Sequence, residues 1–392
     1  MVCPDASLQI ALAERRDEDR YRHRKTLQSP QGVNVRVDGQ PCLGFSSNDY
    51  LGLANHPSVI AAFQQAANTY GVGSGASHLV SGHSAEHQAL EEALAEFTGR
   101  PRALLFSTGY MANVGVIRAL VGQGDLVVQD KLNHASLLDG GFLCRGQFER
   151  FAHSDMAAAK TLLAANDSPR KLLATDGVFS MDGDLANLPA LVDMAEQHNA
   201  WLMVDDAHGF GVLGETGRGV AEHFELDLDT LPILLGTLGK ALGTFGAFVA
   251  GSDALIESLI QFTRTYIYTT ALPPSVAAAT RAALVLVDSE SWRRRKLQAL
   301  ITRFQQGAQE LSLPLMPSST PIQPVLIGDD KKVMEIGALL LDAGFWTGAI
   351  RPPTVPKGSA RLRITLNAEH EEAHIDSLLE ALAAALRRVG VL

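Results

Sequence analysis

Lys240 has the plainest capacity for chemistry in this chain. It lies in Leu235-Gly-Thr-Leu-Gly-Lys-Ala-Leu-Gly243, among small and apolar residues, with Thr237 three positions before it. Pro232-Ile-Leu-Leu235 just upstream reads as a buried strand, so the amine leaves directly from the core. Desolvation at such a place lowers the pKa of an ammonium group and yields a nucleophilic amine, the requirement for Schiff-base chemistry. A lysine after a loop can equally snorkel to the surface, and this stretch alone does not separate the two readings.

A second stretch adds weight to the first. Trp201-Leu-Met-Val-Asp205-Asp206-Ala207-His208-Gly209 is an apolar run that ends in two acids and a histidine. It reads as a central parallel strand with its polar residues at the carboxyl end, where open α/β sheets bind ligands. Pyridoxal 5'-phosphate needs an acid at its ring nitrogen, so that the protonated ring accepts electrons. It also needs a donor near the ring hydroxyl, a lysine for the aldehyde, and hydroxyls with backbone N–H groups for the phosphate. Asp205, His208, Lys240 and Thr237 can meet these needs. An Asp-x-x-His pair is also half of a metal site, but no third ligand stands at a convincing spacing, so no metal is expected.

The elements that must position these residues alternate as short apolar runs and helical patterns, which predicts an α/β fold. Ala103–Phe106 reads as a strand, and Ser107-Thr-Gly-Tyr-Met-Ala-Asn113 opens a helix. A strand, a small-residue turn and a helix N-terminus make an anion site from backbone N–H groups; a plain N-cap by Ser107 or Thr108 is the simpler alternative. Leu126–Asp130 is the next strand, and Asn133-His134-Ala-Ser136 opens the next helix, where His134 can stack on a flat cofactor. Lys171–Gly177 is a strand with its turn, a helix follows at about Leu188–His198, and Gly246–Ala250 is a further strand. The glycine-rich Gly71–Gly75 does not follow a clear strand, so a dinucleotide-binding assignment is weak. His83 and His87 are four apart and can share a helix face, but they lack an acidic partner motif and, with His78, read as structural; Glu86–Phe97 reads as a helix ended by Gly99.

Ser7–Lys25 reads as an amphipathic helix ending in Arg20, Arg22, Arg24 and Lys25, either a solvated face or a reach toward an anionic substrate. Val33–Val37 and Cys42–Phe45 around Asp38-Gly39 carry a hairpin signature, and Asn48 follows in a polar loop. A helical run at Ser291–Leu311 leads into the last third. There Pro321–Ile327, Trp346–Ile350 and Ala360–Leu366 read as strands, with helices at about Lys332–Ala343 and Glu369–Arg388. Arg361 and Arg363 alternate on one strand face. A buried arginine beside a cofactor holds a carboxylate by two parallel hydrogen bonds, whereas a solvated face needs no ligand. The expected division is an N-terminal segment at 1–45, a large cofactor-binding α/β domain at 46–285 and a small C-terminal α+β domain at 286–392.

Composition fits a large α/β domain plus a smaller one. The 392 residues are 46% hydrophobic and 19% charged, enough for a sizeable core. A net charge of −10 argues against nucleic acid as a non-specific partner and leaves room for anionic substrates. Cys3, Cys42 and Cys144 form neither a disulfide framework nor a zinc pattern, which fits a reducing compartment. With no apolar signal core and no stretch long enough for a membrane, a cytoplasmic location is expected.

Five motifs carry a family resemblance: Phe45-Ser-Ser-Asn-Asp-Tyr-Leu-Gly-Leu53, Asn133-His-Ala-Ser136, Val178-Phe-Ser-Met-Asp-Gly183, Val204-Asp-Asp-Ala-His-Gly209 and Arg351-Pro-Pro-Thr-Val-Pro356. Each is weak alone, but in this order they resemble the α-oxoamine synthases among the fold-type I pyridoxal-phosphate enzymes, over roughly Arg22 to Thr365. The resemblance implies a fold-type I transferase with a large, mostly parallel seven-stranded sheet domain and a smaller α+β domain. It implies that Lys240 bonds the cofactor's aldehyde, Asp205 holds the pyridine nitrogen, His208 meets the ring oxygen, His134 stacks on the ring and Ser180 lies near the ring hydroxyl. Gly109, Tyr110 and Thr237 would bind the phosphate, with Thr270 arriving from the partner subunit of a homodimer. Asn48 and Arg363 would orient a substrate carboxylate; Arg22 and Arg351 are candidates for the distal acyl end, and Thr354 is a further substrate-binding candidate.

The activity implied is decarboxylative condensation of an amino acid with an acyl thioester, with Lys240 as the natural general base. The Arg351–Pro356 motif favours the branch that joins L-alanine to a pimeloyl group, carried on coenzyme A or an acyl carrier protein, in biotin synthesis. The alternatives are a branch using glycine and acetyl-CoA, an aminotransferase, and a catalytically silent binding protein on the same scaffold. Two positions depart from common family residues: Asp176 in Thr175-Asp-Gly177, and Asp206, each an aspartate where glutamate is frequent.

Overall fold

The apolar runs become strands. A computed structural model describes residues 4–18 and 20–392, so Cys3 lies outside the described residues. In chain order the strands are Asn34–Val37 (β1), Gln40–Phe45 (β2), Arg102–Phe106 (β3), Leu126–Asp130 (β4), Gln147–Phe151 (β5), Lys171–Asp176 (β6), Ala200–Asp205 (β7), Ile233–Thr237 (β8), Ala247–Gly251 (β9), Ile322–Gly328 (β10), Phe345–Ile350 (β11) and Ala360–Thr365 (β12). The labelled helices are Pro4–Asp17 (α1), Pro57–Tyr70 (α2), Ala85–Thr98 (α3), Gly109–Leu120 (α4) and Ala135–Leu143 (α5). The chain divides into two units. One comprises Asn48–Ser180 and Asp184–Arg295; the other comprises the chain up to Ser47, Met181–Gly183 and Lys296–Leu392.

The larger unit is built on a seven-stranded sheet in the order β3-β9-β8-β7-β6-β4-β5. Only β9 runs against its neighbours, pairing antiparallel with β3 and β8. The carboxyl ends of β4, β6, β7 and β8 therefore lie on one edge of the sheet. Strands covered on both faces are mainly apolar; every residue of β4 and β9 is buried, with Gln129 and Asp130 the polar members at the end of β4. Leu104, Val127, Leu172, Met203, Leu235 and Val249 of the sheet form one core cluster with Val116, Ile117 and Leu120 of α4. Each such side chain contributes roughly 1.5–3 kcal/mol relative to exposure. β5 is a strand that the apolar pattern does not announce. It is an edge strand, and Gln147-Phe-Glu-Arg-Phe151 buries only its last residue.

The smaller unit carries a five-stranded sheet in the order β1-β2-β11-β12-β10. The N-terminal hairpin joins this sheet because β2 pairs in parallel with β11, so the chain up to Ser47 shares a unit with Lys296–Leu392. Its turn places Asp38 at φ 49° and Gly39 at φ 86°, the left-handed pair that a two-residue hairpin requires. α1 ends at Asp17, short of the Lys25 that the sequence pattern suggests, and buries no residue. Between Leu12 and Tyr21 there is no large apolar side chain to continue a stripe, and the basic cluster runs on without helix. All six residues of β12 are buried, Arg361 and Arg363 included.

Candidate active site

The carboxyl edge of the seven-stranded sheet holds a cavity of about 190 Å³. Asp176 and Asp205 face each other as register partners at the ends of β6 and β7, Thr237 closes β8, and all three line the cavity. Lys240 follows in the turn after β8 and is half-buried. Its Nζ lies 2.9 Å from His208 Nε2. The lysine thus faces the histidine that the sequence places three residues after Asp205.

Asp205 is almost wholly buried. Its Oδ1 accepts the Ala207 N–H at 3.0 Å, and its Oδ2 accepts the Asn113 amide at 2.5 Å. Asn113 also donates to Ser136 Oγ at 2.9 Å, so one buried amide braces both a carboxylate and the start of α5. Sequence reasoning passed over this residue. The available signal was one amide on the inward face of an otherwise apolar helix.

His134 caps α5: its Nδ1 accepts the Ser136 N–H at 3.3 Å and lies 2.7 Å from Ser136 Oγ. Its backbone N–H donates to Asp176 Oδ2 at 2.6 Å. Burial lowers the His134 pKa, against the pull of Asp205, so the ring in the cavity is neutral and flat-faced. Burial, reinforced by the charge of Asp205, pushes the Asp176 carboxyl well above the usual carboxylate range. Asp206 is raised by burial as well. It serves the fold by accepting the Val220 N–H at 2.9 Å.

Gly109 starts α4, behind Thr108, whose hydroxyl accepts the Met111 N–H at 3.1 Å. The leading N–H groups of a helix have no intrahelical acceptor and attract anions. A Cβ on Gly109 would stand 2.8 Å from Thr237 Cγ2, so glycine lets the helix start approach that threonine. Tyr110 and Ser180 complete the lining. Asn48 is connected through Tyr50: the Tyr50 hydroxyl lies 3.2 Å from Asn48 Oδ1 and 2.6 Å from His208 Nδ1. Thr270 is exposed and does not line the cavity; its backbone carbonyl accepts the Ser107 hydroxyl at 3.2 Å.

The remaining expected residues belong to the smaller unit. Arg22 donates to Thr354 Oγ1 at 3.3 Å, and Arg351 donates to the Tyr21 carbonyl at 2.8 Å. Together with Arg20, His23 and Lys25 they border a cavity of about 700 Å³ that includes Met334, Leu341, Trp346 and Ile350. Basic groups over an apolar lining suit a chain with an anionic end. Arg363 is buried in β12, while its face-mate Arg361 is committed to an ion pair with Asp182.

His78 joins His83 and His87, with ligating atoms of all three within 4.8 Å. The fold itself engages both His87 nitrogens: Nδ1 accepts the Ser84 N–H at 2.9 Å, and Nε2 lies 2.6 Å from the Leu272 carbonyl.

The cavity's donor set fits pyridoxal 5'-phosphate: a lysine for an aldehyde, a braced buried carboxylate for a pyridine nitrogen, a neutral imidazole, and a helix start with a hydroxyl for a phosphate. Residues 40–382 match the family model described as aminotransferase class I and II. The chain is 61% identical over 388 residues to 8-amino-7-oxononanoate synthase of Saccharophagus degradans, covering 98% of each chain. It is 64% identical over 373 residues to the protein of the same name from Stutzerimonas stutzeri, covering 95% of each. Among solved structures it is similar to SPT with a PLP internal aldimine, at a TM-score of 0.95 and 31% identity over the whole of both chains.

Proposed function

The chain belongs to the aminotransferase class I and II family, and we infer that it is a pyridoxal-phosphate-dependent acyltransferase of biotin synthesis. It condenses L-alanine with a pimeloyl thioester, giving 8-amino-7-oxononanoate, carbon dioxide and the free thiol of the carrier. The observation that carries this reading is the name shared by relatives above 60% identity over nearly the full length. The cavity supports it by gathering Lys240, Asp205 and His208.

Bound pyridoxal 5'-phosphate supplies an electron-accepting ring for the carbon that loses its proton and its carboxylate. The assigned roles of the chain are these. Lys240 Nζ would hold the cofactor's aldehyde, and its amine would serve as the base toward the Cα proton of alanine. Asp205 holds the pyridinium proton, and the Asn113 amide keeps that carboxylate aimed. His134 would lie against the ring face, and His208 and Ser180 would meet the ring oxygen. The N–H groups at Gly109 and Tyr110 and the Thr237 hydroxyl take the phosphate. By family resemblance, Asn48 and Arg363 would hold the alanine carboxylate, and Arg22 and Arg351 would take the distal acyl end, with Thr354 beside Arg22.

A homodimer in a cytoplasmic setting belongs to the same reading. Val80, Phe262 and Tyr268 are 79%, 67% and 71% exposed, apolar area that a second subunit would cover, and Thr270 is exposed close to Phe262 and Tyr268 in sequence. No helix of the described residues is long and apolar enough to cross a membrane.

The test is product mass spectrometry with alanine or glycine against acetyl and pimeloyl thioesters, each on coenzyme A and on an acyl carrier protein. The expected product is 8-amino-7-oxononanoate from alanine, abolished in Lys240→Ala. Preferred use of glycine with the acetyl thioester, or normal turnover by Lys240→Ala, would overturn the reading.

A further inference from the structure

His153 lies outside the lining of the Lys240 cavity, yet it ties together two turns that supply that lining. It follows β5, and both of its ring nitrogens face carboxylates. Nδ1 lies 3.1 Å from each oxygen of Asp130, and Nε2 lies 3.0 Å from Asp184 Oδ2. Asp130, and then Asp184, raise the His153 pKa to about 10. At neutral pH the ring is therefore an imidazolium, which donates from both nitrogens where a neutral imidazole donates from one.

The first arm of this bridge holds the turn before His134. Asp130 closes β4 and is 2% exposed. Its Oδ1 accepts the Leu132 N–H at 2.8 Å, on the short path from β4 to His134. Its Oδ2 accepts the Ser154 N–H at 2.9 Å. Ser154 stands at φ 56°, a conformation that is costly for a residue with a side chain and that here aims its N–H at the same carboxylate. The second arm holds the turn that carries Ser180. The Asp184 carbonyl accepts the Phe179 N–H at 3.0 Å, and Val178 pairs with Leu185, which closes the base of that turn. The His153 ring also packs edge-on against Phe179, with centroids 4.5 Å apart at 85°. Phe179 is 2% exposed and immediately precedes Ser180. Without the cation between them, the two carboxylates repel and the turns have no shared partner.

We propose that His153 is a positioning residue of the cofactor cavity, holding the turns that carry His134 and Ser180 at the separation that one pyridine ring fills. The proposal rests on the cavity being the pyridoxal-phosphate site. It goes further by assigning the geometry of that site to a side chain that does not line it.

The experiment uses full-length protein reconstituted with pyridoxal 5'-phosphate. The visible circular dichroism of the bound cofactor reports how the asymmetric site holds its ring. The band is read at saturating cofactor, well below the unfolding temperature of each protein, and divided by the cofactor bound, so a loss of stability alone leaves it unchanged. His153→Gln offers donors from a single nitrogen and removes the positive charge, and Asp184→Ala cuts only the arm toward Ser180. Each variant should lose roughly half or more of the band per bound cofactor, because displacements well under 1 Å suffice to disturb a bound ring. A wild-type band in either folded variant, with or without weaker affinity, would overturn the proposal. The Asp184 side chain is 31% exposed, so Asp184→Ala decides the matter where His153→Gln does not fold. Failure of the wild-type protein to bind pyridoxal 5'-phosphate at all would instead sink the functional reading.

Discussion

Replacing Gly109 by alanine should weaken cofactor binding for a reason that a second substitution can remove. The new methyl would stand 2.8 Å from Thr237 Cγ2, whereas carbon atoms rest about 3.5–4.0 Å apart. A shortfall of roughly 1 Å must be absorbed by the first turn of α4 or by Thr237. Gly109 is already helical, so alanine brings no backbone strain, and helix propensity alone would favour it by up to about 1 kcal/mol. Any loss therefore reports the clash. Overpacking of this kind costs about 1–3 kcal/mol. Because both walls of the contact belong to the proposed phosphate cradle, the cost should appear as roughly a tenfold or greater loss of affinity for pyridoxal 5'-phosphate. Thr237→Ser removes Cγ2 and keeps the hydroxyl. The double variant should recover most of the loss, giving a coupling of about 1–2 kcal/mol between the two sites. Fluorescence titration of the four cofactor-free proteins measures this cycle, with thermal unfolding of each as the control for folding. Wild-type affinity in Gly109→Ala would refute the steric reasoning, as would a folded double variant no better than the single one.

His153 offers a test by pH. Its Nδ1 lies 3.1 Å from Asp130 and its Nε2 3.0 Å from Asp184, and the two carboxylates raise its pKa to about 10. A folded pKa above the unfolded value of about 6.5 means that the contribution is complete below pH ~6.5 and lost as pH rises through ~10. His153→Gln should cost roughly 2 kcal/mol at pH 7 and flatten the decline in urea midpoint between pH 7 and 10. Parallel declines in the two proteins would show that His153 carries none of this dependence. Arg351→Ala tests the acyl end. If Arg351 meets a distal carboxylate, KM for a pimeloyl thioester should rise about tenfold. KM for a hexanoyl thioester, which lacks that carboxylate, should barely move, nor should KM for alanine. An equal rise for both thioesters would remove Arg351 from that role.

The site was legible in the sequence where the sheet made it so. Strands buried on both faces are mainly apolar, so the polar groups that close a run mark the carboxyl edge. Asp176, at the end of its strand, was read only as a departure from the family pattern, whereas Asp205 and Thr237 were visible by that mark. Tyr50 was not, because its role is a contact across 158 positions and nothing in its neighbours predicts the partner. Nor was the burial of both Arg361 and Arg363, or the ion pair that Arg361 makes with Asp182, because the strand period says only that the two share a face. The aspartate at 176 shows how a substitution that looks local can bear on chemistry. Its Oδ2 receives the backbone N–H of His134 at 2.6 Å, and its own N–H donates to Asn133 Oδ1 at 3.1 Å. The length of that side chain therefore fixes the height of the peptide that carries the His134 ring. With an aspartate the carboxylate meets the N–H directly from the end of β6, while a glutamate would need to fold back or lift the start of α5. Arm length at this position is thus a determinant of where His134 stands in the cavity, with the carboxyl charge itself suppressed by burial and by Asp205.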